Sequence, residues 1–139
     1  MKKIFYIILL LNCLVGCAVY DNYFKAGYDN QEYEHIVEIR LLARQGVQMC
    51  GNPYKVTKSK TAEIISQMLD KAELFEIYEE HRPKNDSEYD AAVKLREIIE
   101  SFNNRYQKGS VSYFYCKTKF ESIDSSAGVI QSVIGNRPK

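Results

Sequence analysis

The feature that most constrains this fold is a set of apolar residues near the C-terminus that recurs every three or four positions. The set contains Tyr113, Cys116, Phe120, Ile123, Ala127, Ile130 and Ile134. Steps of three and four place all seven side chains on one face of an α-helix, whereas a strand would need a period of two. A helix with one apolar face needs other helices to cover it. The pattern therefore predicts a helical bundle, with this helix over about residues 112–134.

Three upstream stretches have the same spacing, over about residues 31–49, 59–81 and 87–107. Asp29 or Asn30 can cap the first, Pro83 ends the second, and Asp86 can cap the third. The predicted apolar positions are Tyr33, Ile36, Val37, Leu41 and Val47 on the first helix, Ile65, Met68, Leu69, Ala72 and Phe75 on the second, and Tyr89, Ala92, Leu95, Ile99, Phe102 and Tyr106 on the third. Short connections make consecutive helices antiparallel. We therefore expect an all-α fold, a small four-helix up-down-up-down bundle.

The first residues read as a leader for export. Lys2 and Lys3 precede an apolar run from Ile4 to Val15 that only Asn12 interrupts. That run is too short for a helix that spans a bilayer, which needs roughly 20 residues. A basic start followed by a short apolar segment is typical of a secretory signal peptide.

The leader ends in Leu14-Val15-Gly16-Cys17, which resembles the lipobox of bacterial lipoprotein precursors. The resemblance implies cleavage after Gly16, a diacylglycerol on the Cys17 thiol and acylation of the new amino group. Two or more acyl chains give stable membrane anchoring. Ala18 replaces the aspartate that retains Gram-negative lipoproteins at the inner membrane, so the resemblance favours the periplasmic face of the outer membrane. The alternative is an ordinary signal peptide or an uncleaved anchor.

These assignments divide the chain into three parts. Residues 1–16 form the signal peptide, residues 17–30 the lipidated cysteine with an aromatic tether, and residues 31–139 the bundle. The tether can contact the lipid interface or dock onto the domain. After cleavage, 17 basic residues face 18 acidic ones. This balance argues against nucleic-acid binding, which normally requires a basic face.

Cleavage and lipidation leave two cysteines, Cys50 and Cys116. In the predicted topology the first helix ends at the pole where the fourth begins, so both cysteines lie at one pole. An oxidising compartment favours a disulfide between them. Two free thiols, or a disulfide between two chains, are the alternatives.

The sequence contains no recognisable catalytic or cofactor motif. It has no nucleophile elbow, no glycine-rich phosphate loop and no Cys-x-x-Cys pair. His35 and His81 do not have the spacing of metal ligands, so we predict no metal and no cofactor. We expect a protein that is not an enzyme, although a cell-wall enzyme that uses two carboxylates stays an alternative.

Three surface features suggest contacts. Lys55, Lys58 and Lys60 cluster after Cys50 and are candidates to contact lipid headgroups, lipopolysaccharide or an acidic partner, with a solvated loop as the alternative. The small residues 125–128 indicate close helix approach, with a docking groove as the alternative. Residues 135–139 form a short basic tail that we expect to be a frayed end.

The segment from Tyr115-Cys116-Lys117 to Ile134-Gly135-Asn136-Arg137-Pro138 resembles small predicted lipoproteins of tailed bacteriophages. This resemblance implies a task in the host envelope during infection. One such task is superinfection exclusion, in which the protein binds a receptor or an injection component. Another is lysis, as an outer-membrane spanin-like subunit. The leading expectation is a lipid-anchored interaction protein with an envelope protein as its partner.

Overall fold

The computed structural model describes residues 26–50, 58–83, 85–109 and 111–139. These residues form four helices and no strand: α1 (Asn30–Cys50), α2 (Lys58–Glu80), α3 (Asp86–Gln107) and α4 (Tyr113–Gly135). The helix α1 packs against α2 and α4, and α3 packs against the same two helices. The predicted all-α four-helix bundle is confirmed.

The two ends of the bundle differ in what closes them. At one end, which we call the terminal pole, residues 26–29 meet the C-terminal residues, and the Tyr28 N–H donates to the Pro138 carbonyl at 3.0 Å. At the other end, the disulfide pole, Cys50 and Cys116 are joined by a disulfide, with their Cα atoms 5.8 Å apart. The structure thus pairs the two cysteines that the topology predicted to meet.

Large aromatic side chains fill the centre of the bundle. Phe75, Phe102 and Phe120 are fully buried, one each from α2, α3 and α4. The rings of Phe102 and Phe120 pack edge to face with their centroids 5.1 Å apart. Such edge-to-face pairs add to the free energy gained from burying the rings.

The apolar face predicted for α1 is partly wrong. Ile36 is buried as predicted, but Val37 and Leu41 are 39% and 56% exposed. The buried positions of α1 are Glu32, Ile36, Ile39, Ala43, Gly46 and Cys50. This row contains the small residues Ala43 and Gly46, which let α4 approach closely, so shape as well as hydrophobicity determines which face of α1 is buried.

Gly46 makes the tightest of these contacts. A Cβ atom at Gly46 would overlap the ring of Phe120, which is fully buried in the core. Gly128, in the predicted small-residue segment, instead faces the guanidinium of Arg40, and a Cβ atom there would lie 3.3 Å from it. Both glycines therefore reflect close approach between α1 and α4.

We expect Gly46→Ala to lower the free energy of unfolding by about 1–2 kcal/mol, because overpacking the core outweighs the better helix propensity of alanine. Gly128→Ala is the milder control: the Arg40 guanidinium, bound to Asp124 and Gln131, needs to move only slightly to relieve a 3.3 Å contact, so this variant should be close to neutral. Urea unfolding monitored by circular dichroism measures both. Equal behaviour of the two variants would contradict the proposed clash with Phe120.

The helix ends agree with the sequence except at α3. Asp29 caps α1, since its Oδ1 accepts the N–H groups of Gln31 at 2.8 Å and Glu32 at 3.2 Å. The expectation that Asp86 caps α3 is wrong, because the helix already includes Asp86 and Asn85 takes the capping position. Asn85 makes no side-chain capping bond; its amide binds α2 instead.

Candidate functional site

The residues predicted to form sites are only partly described by the structure. Cys17 and Lys55 lie outside the described residues. Lys58 and Lys60 are exposed in the first turn of α2, at the disulfide pole. The structure therefore brings these two lysines and the Cys50–Cys116 bond to the same end of the bundle.

The disulfide pole carries more basic residues than the three lysines singled out in the sequence. Within two to three helical turns of this pole lie residues 44–50, 58–66, 101–109 and 111–121, which hold seven basic and two acidic residues. The basic ones are Arg44, Lys58, Lys60, Arg105, Lys108, Lys117 and Lys119, and the acidic ones are Glu63 and Glu121. The cluster is not apparent in the sequence, because its members come from four separate segments.

The terminal pole has the opposite charge. Residues 26–36, 74–83, 85–92 and 128–139 hold nine acidic and three basic residues. A chain whose formal net charge is only +1 thus folds into a domain with a basic end and an acidic end. Neither end was predicted, because net charge alone contains no information on where charges lie.

Two exposed aromatic rings lie at the tip of the disulfide pole. The side chain of Phe114 is 79% exposed and that of Tyr113 is 50% exposed. Both belong to the first turn of α4, which Ser112 caps by accepting the Tyr115 N–H at 3.1 Å. The Nζ atom of Lys119 lies 5.7 Å from the centroid of the neighbouring Tyr115 ring, so a basic group lies beside an aromatic one here.

The acidic end is organised by a buried ion cluster. Arg137 donates from Nη1 to Glu32 Oε2 at 2.6 Å and lies 2.7 Å from Glu88 Oε1 through Nη2. Arg82 binds the same Glu32 oxygen. Glu79, fully buried beside them, accepts from Asn85 Nδ2 at 2.7 Å. The cluster therefore joins α1, the end of α2, the start of α3 and the C-terminal residues.

The C-terminal residues are not a frayed end, and that expectation is wrong. Arg137 is only 9% exposed because it lies between the carboxylates of Glu32 and Glu88. Lys139 places its Nζ atom 5.7 Å from the Tyr28 ring centroid. The composition of the tail suggests fraying, but two carboxylates that the sequence does not place near it decide its structure.

Residues 26–30, which the sequence assigns to the tether, pack on the bundle. Ala26 is 7% exposed, and Arg82 Nη2 donates to the Gly27 carbonyl at 3.3 Å. Of the two alternatives for the tether, contact with lipid and docking onto the domain, residues 26–30 show the second.

Burial sets the protonation behaviour of the two central acids. Burial raises the pKa of Glu79 to about 7, and the nearby charge of Glu32 adds to the increase. Burial also raises the pKa of Glu32, against the opposing charges of Arg137 and Arg82. Within the described part of the chain, the Oε1 atoms of both carboxylates have no hydrogen-bond partner. When Glu32 and Glu79 are both ionised, their surroundings do not fully compensate the two buried negative charges. Protonation of Glu79 removes one of these charges.

The folded protein should accordingly lose stability as the pH rises through the window from about 4.5 to 7. In that window Glu79 keeps its proton in the folded state but releases it in the unfolded chain. The stability that this proton contributes is therefore fully present below the unfolded pKa and is lost as the pH rises through the folded pKa. Glu79→Gln should remove this loss and be more stable than wild type at pH 8 by about 2 kcal/mol.

The measurement is urea unfolding at several pH values, read as the difference between variant and wild type. Glu80→Gln is the control, because Glu80 is the exposed neighbour of Glu79 on the same helix. A difference curve for Glu79→Gln that is flat from pH 5 to 8 would contradict the assignment.

The sequence did contain a signal for the two acids. Glu32 lies four residues before the buried Ile36, and Glu79 lies four residues after the buried Phe75. Each therefore continues the buried row of its helix, at ends that an antiparallel pair brings together. Apolar periodicity alone does not identify Glu32 and Glu79 as buried, because both are charged.

The histidines do not assemble a metal site. His35 packs edge to face against Tyr78 with 5.3 Å between ring centroids, and His81 Nδ1 lies 3.2 Å from the Ile77 carbonyl oxygen. Among the described residues, no group of three or more histidine, cysteine, aspartate or glutamate side chains is arranged to hold a metal ion.

Comparisons with protein-family models, with curated proteins and with solved structures found no match to this chain. None of the helices in the described part of the chain is long and apolar enough to span a bilayer.

Proposed function

We propose that this chain is a lipid-anchored protein of the bacterial envelope, held at the periplasmic face of the outer membrane, which acts by binding another envelope component and not by catalysis. The observation that carries the proposal is Leu14-Val15-Gly16-Cys17 after a short apolar leader. The paired Cys50 and Cys116 support it, because disulfides persist in oxidising, exported compartments.

The position of the packed N-terminal residues supports a short anchor. Eight residues, 18–25, separate Cys17 from the residues that pack on the terminal pole. Fully extended, they span roughly 28 Å. Such a tether confines the bundle to a thin layer at the membrane and raises its effective concentration for other components there.

Acylation is tested by mass spectrometry of the protein taken from cells grown with a labelled fatty acid. Wild type should carry the label on Cys17 and lack residues 1–16. Cys17→Ser should lose the label and keep its leader, whereas Cys13→Ser, which changes the other leader cysteine, should be acylated normally. An intact, unacylated leader on wild type would contradict the proposal.

The membrane is tested separately by density-gradient fractionation. Wild type should sediment with the outer membrane, and Ala18→Asp should move to the inner membrane. An inner-membrane position for both proteins would keep the lipid anchor but overturn the proposed location.

Superinfection exclusion is the envelope task that we favour, because binding alone can perform it. Cells expressing wild type should then resist a phage that plates on cells expressing Cys17→Ser. The spanin-like alternative has less support: spanin outer subunits are often proline-rich, whereas this chain has 3 prolines and a packed core. Plaque formation of equal efficiency on both strains, across phages of the host, would count against exclusion.

A further inference from the structure

We propose that the disulfide pole binds peptidoglycan, with its basic residues contacting the carboxylates of the peptide stems and its exposed rings stacking on the sugars. This inference deepens the proposed function and rests on it for the compartment. The pole itself is a property of the folded bundle and does not depend on the lipid.

The disulfide pole complements a carboxylate-rich polymer in charge. The disulfide pole holds seven basic and two acidic described residues, and Arg44 among the basic ones is paired with Asp124 at 3.1 Å, just outside these ranges. With that carboxylate counted, seven basic residues face three acidic ones and the pole stays positive. The Nζ atom of Lys117 lies 3.6 Å from Glu121 Oε1, but that pair is exposed and contributes little to stability, so an external carboxylate can compete for the lysine. A polymer that repeats carboxylates at short intervals can engage several of these cations together, which strengthens individually weak contacts.

The exposed rings of Tyr113 and Phe114 at the same pole are suited to contact sugars. Phe114 is the most exposed large apolar side chain of the described residues, at 79%, and it lies in the first turn of a capped helix. The C–H groups of a sugar carry partial positive charge and stack on the negative face of an aromatic ring. Two exposed rings one helical turn before Lys117 therefore suit an acidic glycan polymer.

The geometry disfavours a bilayer as the occupant. The packed N-terminal residues lie at the opposite pole, and the helix α4 has 23 residues, which gives the bundle a length of roughly 35 Å. The eight tether residues reach only about 28 Å. An upright bundle anchored through Cys17 thus directs its basic tip away from its own membrane.

The area of the patch disfavours a folded protein. A stable protein interface buries about 800 Å² on each side around an apolar core. At the disulfide pole, the exposed large apolar side chains among the described residues are Tyr113 and Phe114. Two rings provide too little apolar surface for such a core, but enough to stack on a sugar.

The experiment is co-sedimentation of the full mature protein, in detergent, with purified sacculi that have been treated with protease. Lys108→Glu should weaken binding roughly fivefold or more, because each cation near an anionic surface contributes about that factor. Its control is Lys94→Glu, the same charge change at an exposed position within α3, the helix that ends one residue before Lys108. Phe114→Ala should weaken binding severalfold, and its control is Val129→Ala, which is 67% exposed on α4. Circular dichroism confirms that each variant is folded.

Every outcome decides the proposal. Binding that falls with Lys108→Glu and Phe114→Ala, stays within twofold for both controls and weakens in high salt supports it. No sedimentation with sacculi, or equal loss for the controls, overturns it. Since the chain contains no tryptophan, Phe114→Trp provides a single tryptophan whose fluorescence can be excited selectively over that of the tyrosines. Quenching of this tryptophan by brominated lipids in proteoliposomes would assign the pole to a bilayer instead. These results are independent of the acylation test, so the two proposals fail separately.

Discussion

Replacing both Cys50 and Cys116 with alanine is expected to lower the free energy of unfolding by about 4 kcal/mol. The bond joins residues separated by 66 positions, and in the chain-entropy account a loop of this size restricts the unfolded chain by about that amount. The bond also joins the end of α1 to the start of α4. Losing it should free the disulfide pole first.

Urea unfolding of the oxidised and reduced protein measures this effect. Reduced wild type and the double alanine variant should have nearly equal midpoints, both well below that of the oxidised wild type. Reductant should leave the midpoint of the double variant unchanged, which makes that variant its own control. A difference under about 1 kcal/mol between oxidised and reduced wild type would contradict the intramolecular bond, since the chain-entropy account requires several times more.

Arg137→Ala is expected to destabilise the bundle by about 3 kcal/mol, despite its position two residues from the end of the sequence. Removing one partner of a buried ion pair leaves a buried charge without compensation, which typically costs about 3–5 kcal/mol. Glu32 is fully buried, and Arg82 stays to compensate part of the loss, so we expect the lower end of this range.

The matched control is Lys139→Ala, which removes an exposed basic residue from the same tail. It should change the free energy of unfolding by less than about 0.5 kcal/mol. Combining Arg137→Ala with Glu32→Gln should cost less than the sum of the two single changes, because both remove the same interaction. Equal small effects of Arg137→Ala and Lys139→Ala would show that the tail is frayed and that Arg137 does not stabilise the bundle.

The sequence predicted those parts of the structure that depend on local periodicity. The row on α4 is confirmed almost completely: Cys116, Phe120, Ile123, Ala127 and Ile134 are buried, and Ile130 is partly buried. Tyr113, the first member of the row, is half exposed because it lies at the helix tip. The pairing of Cys50 with Cys116 followed from topology, since antiparallel order alone determines which ends meet.

Features that depend on non-local shape were missed. On α1, both Ile39 and Leu41 are apolar, and the row that contains Ile39 also carries Gly46, whose lack of a Cβ atom makes room for the Phe120 ring. The ion cluster was missed for a similar reason. Arg137 is buried because Glu32 and Glu88 come from two other segments, at sequence separations that no periodicity connects.

The disulfide has a mechanical consequence. A pull between residue 26 and the tip at Phe114 has a continuous covalent route along α1, across the Cys50–Cys116 bond and back two residues to Phe114. This route bypasses α2, α3 and their connections, so tension along it does not have to peel those helices from the bundle. An oxidised chain should act as a stiff strut between its two ends, and a reduced chain as an extensible one.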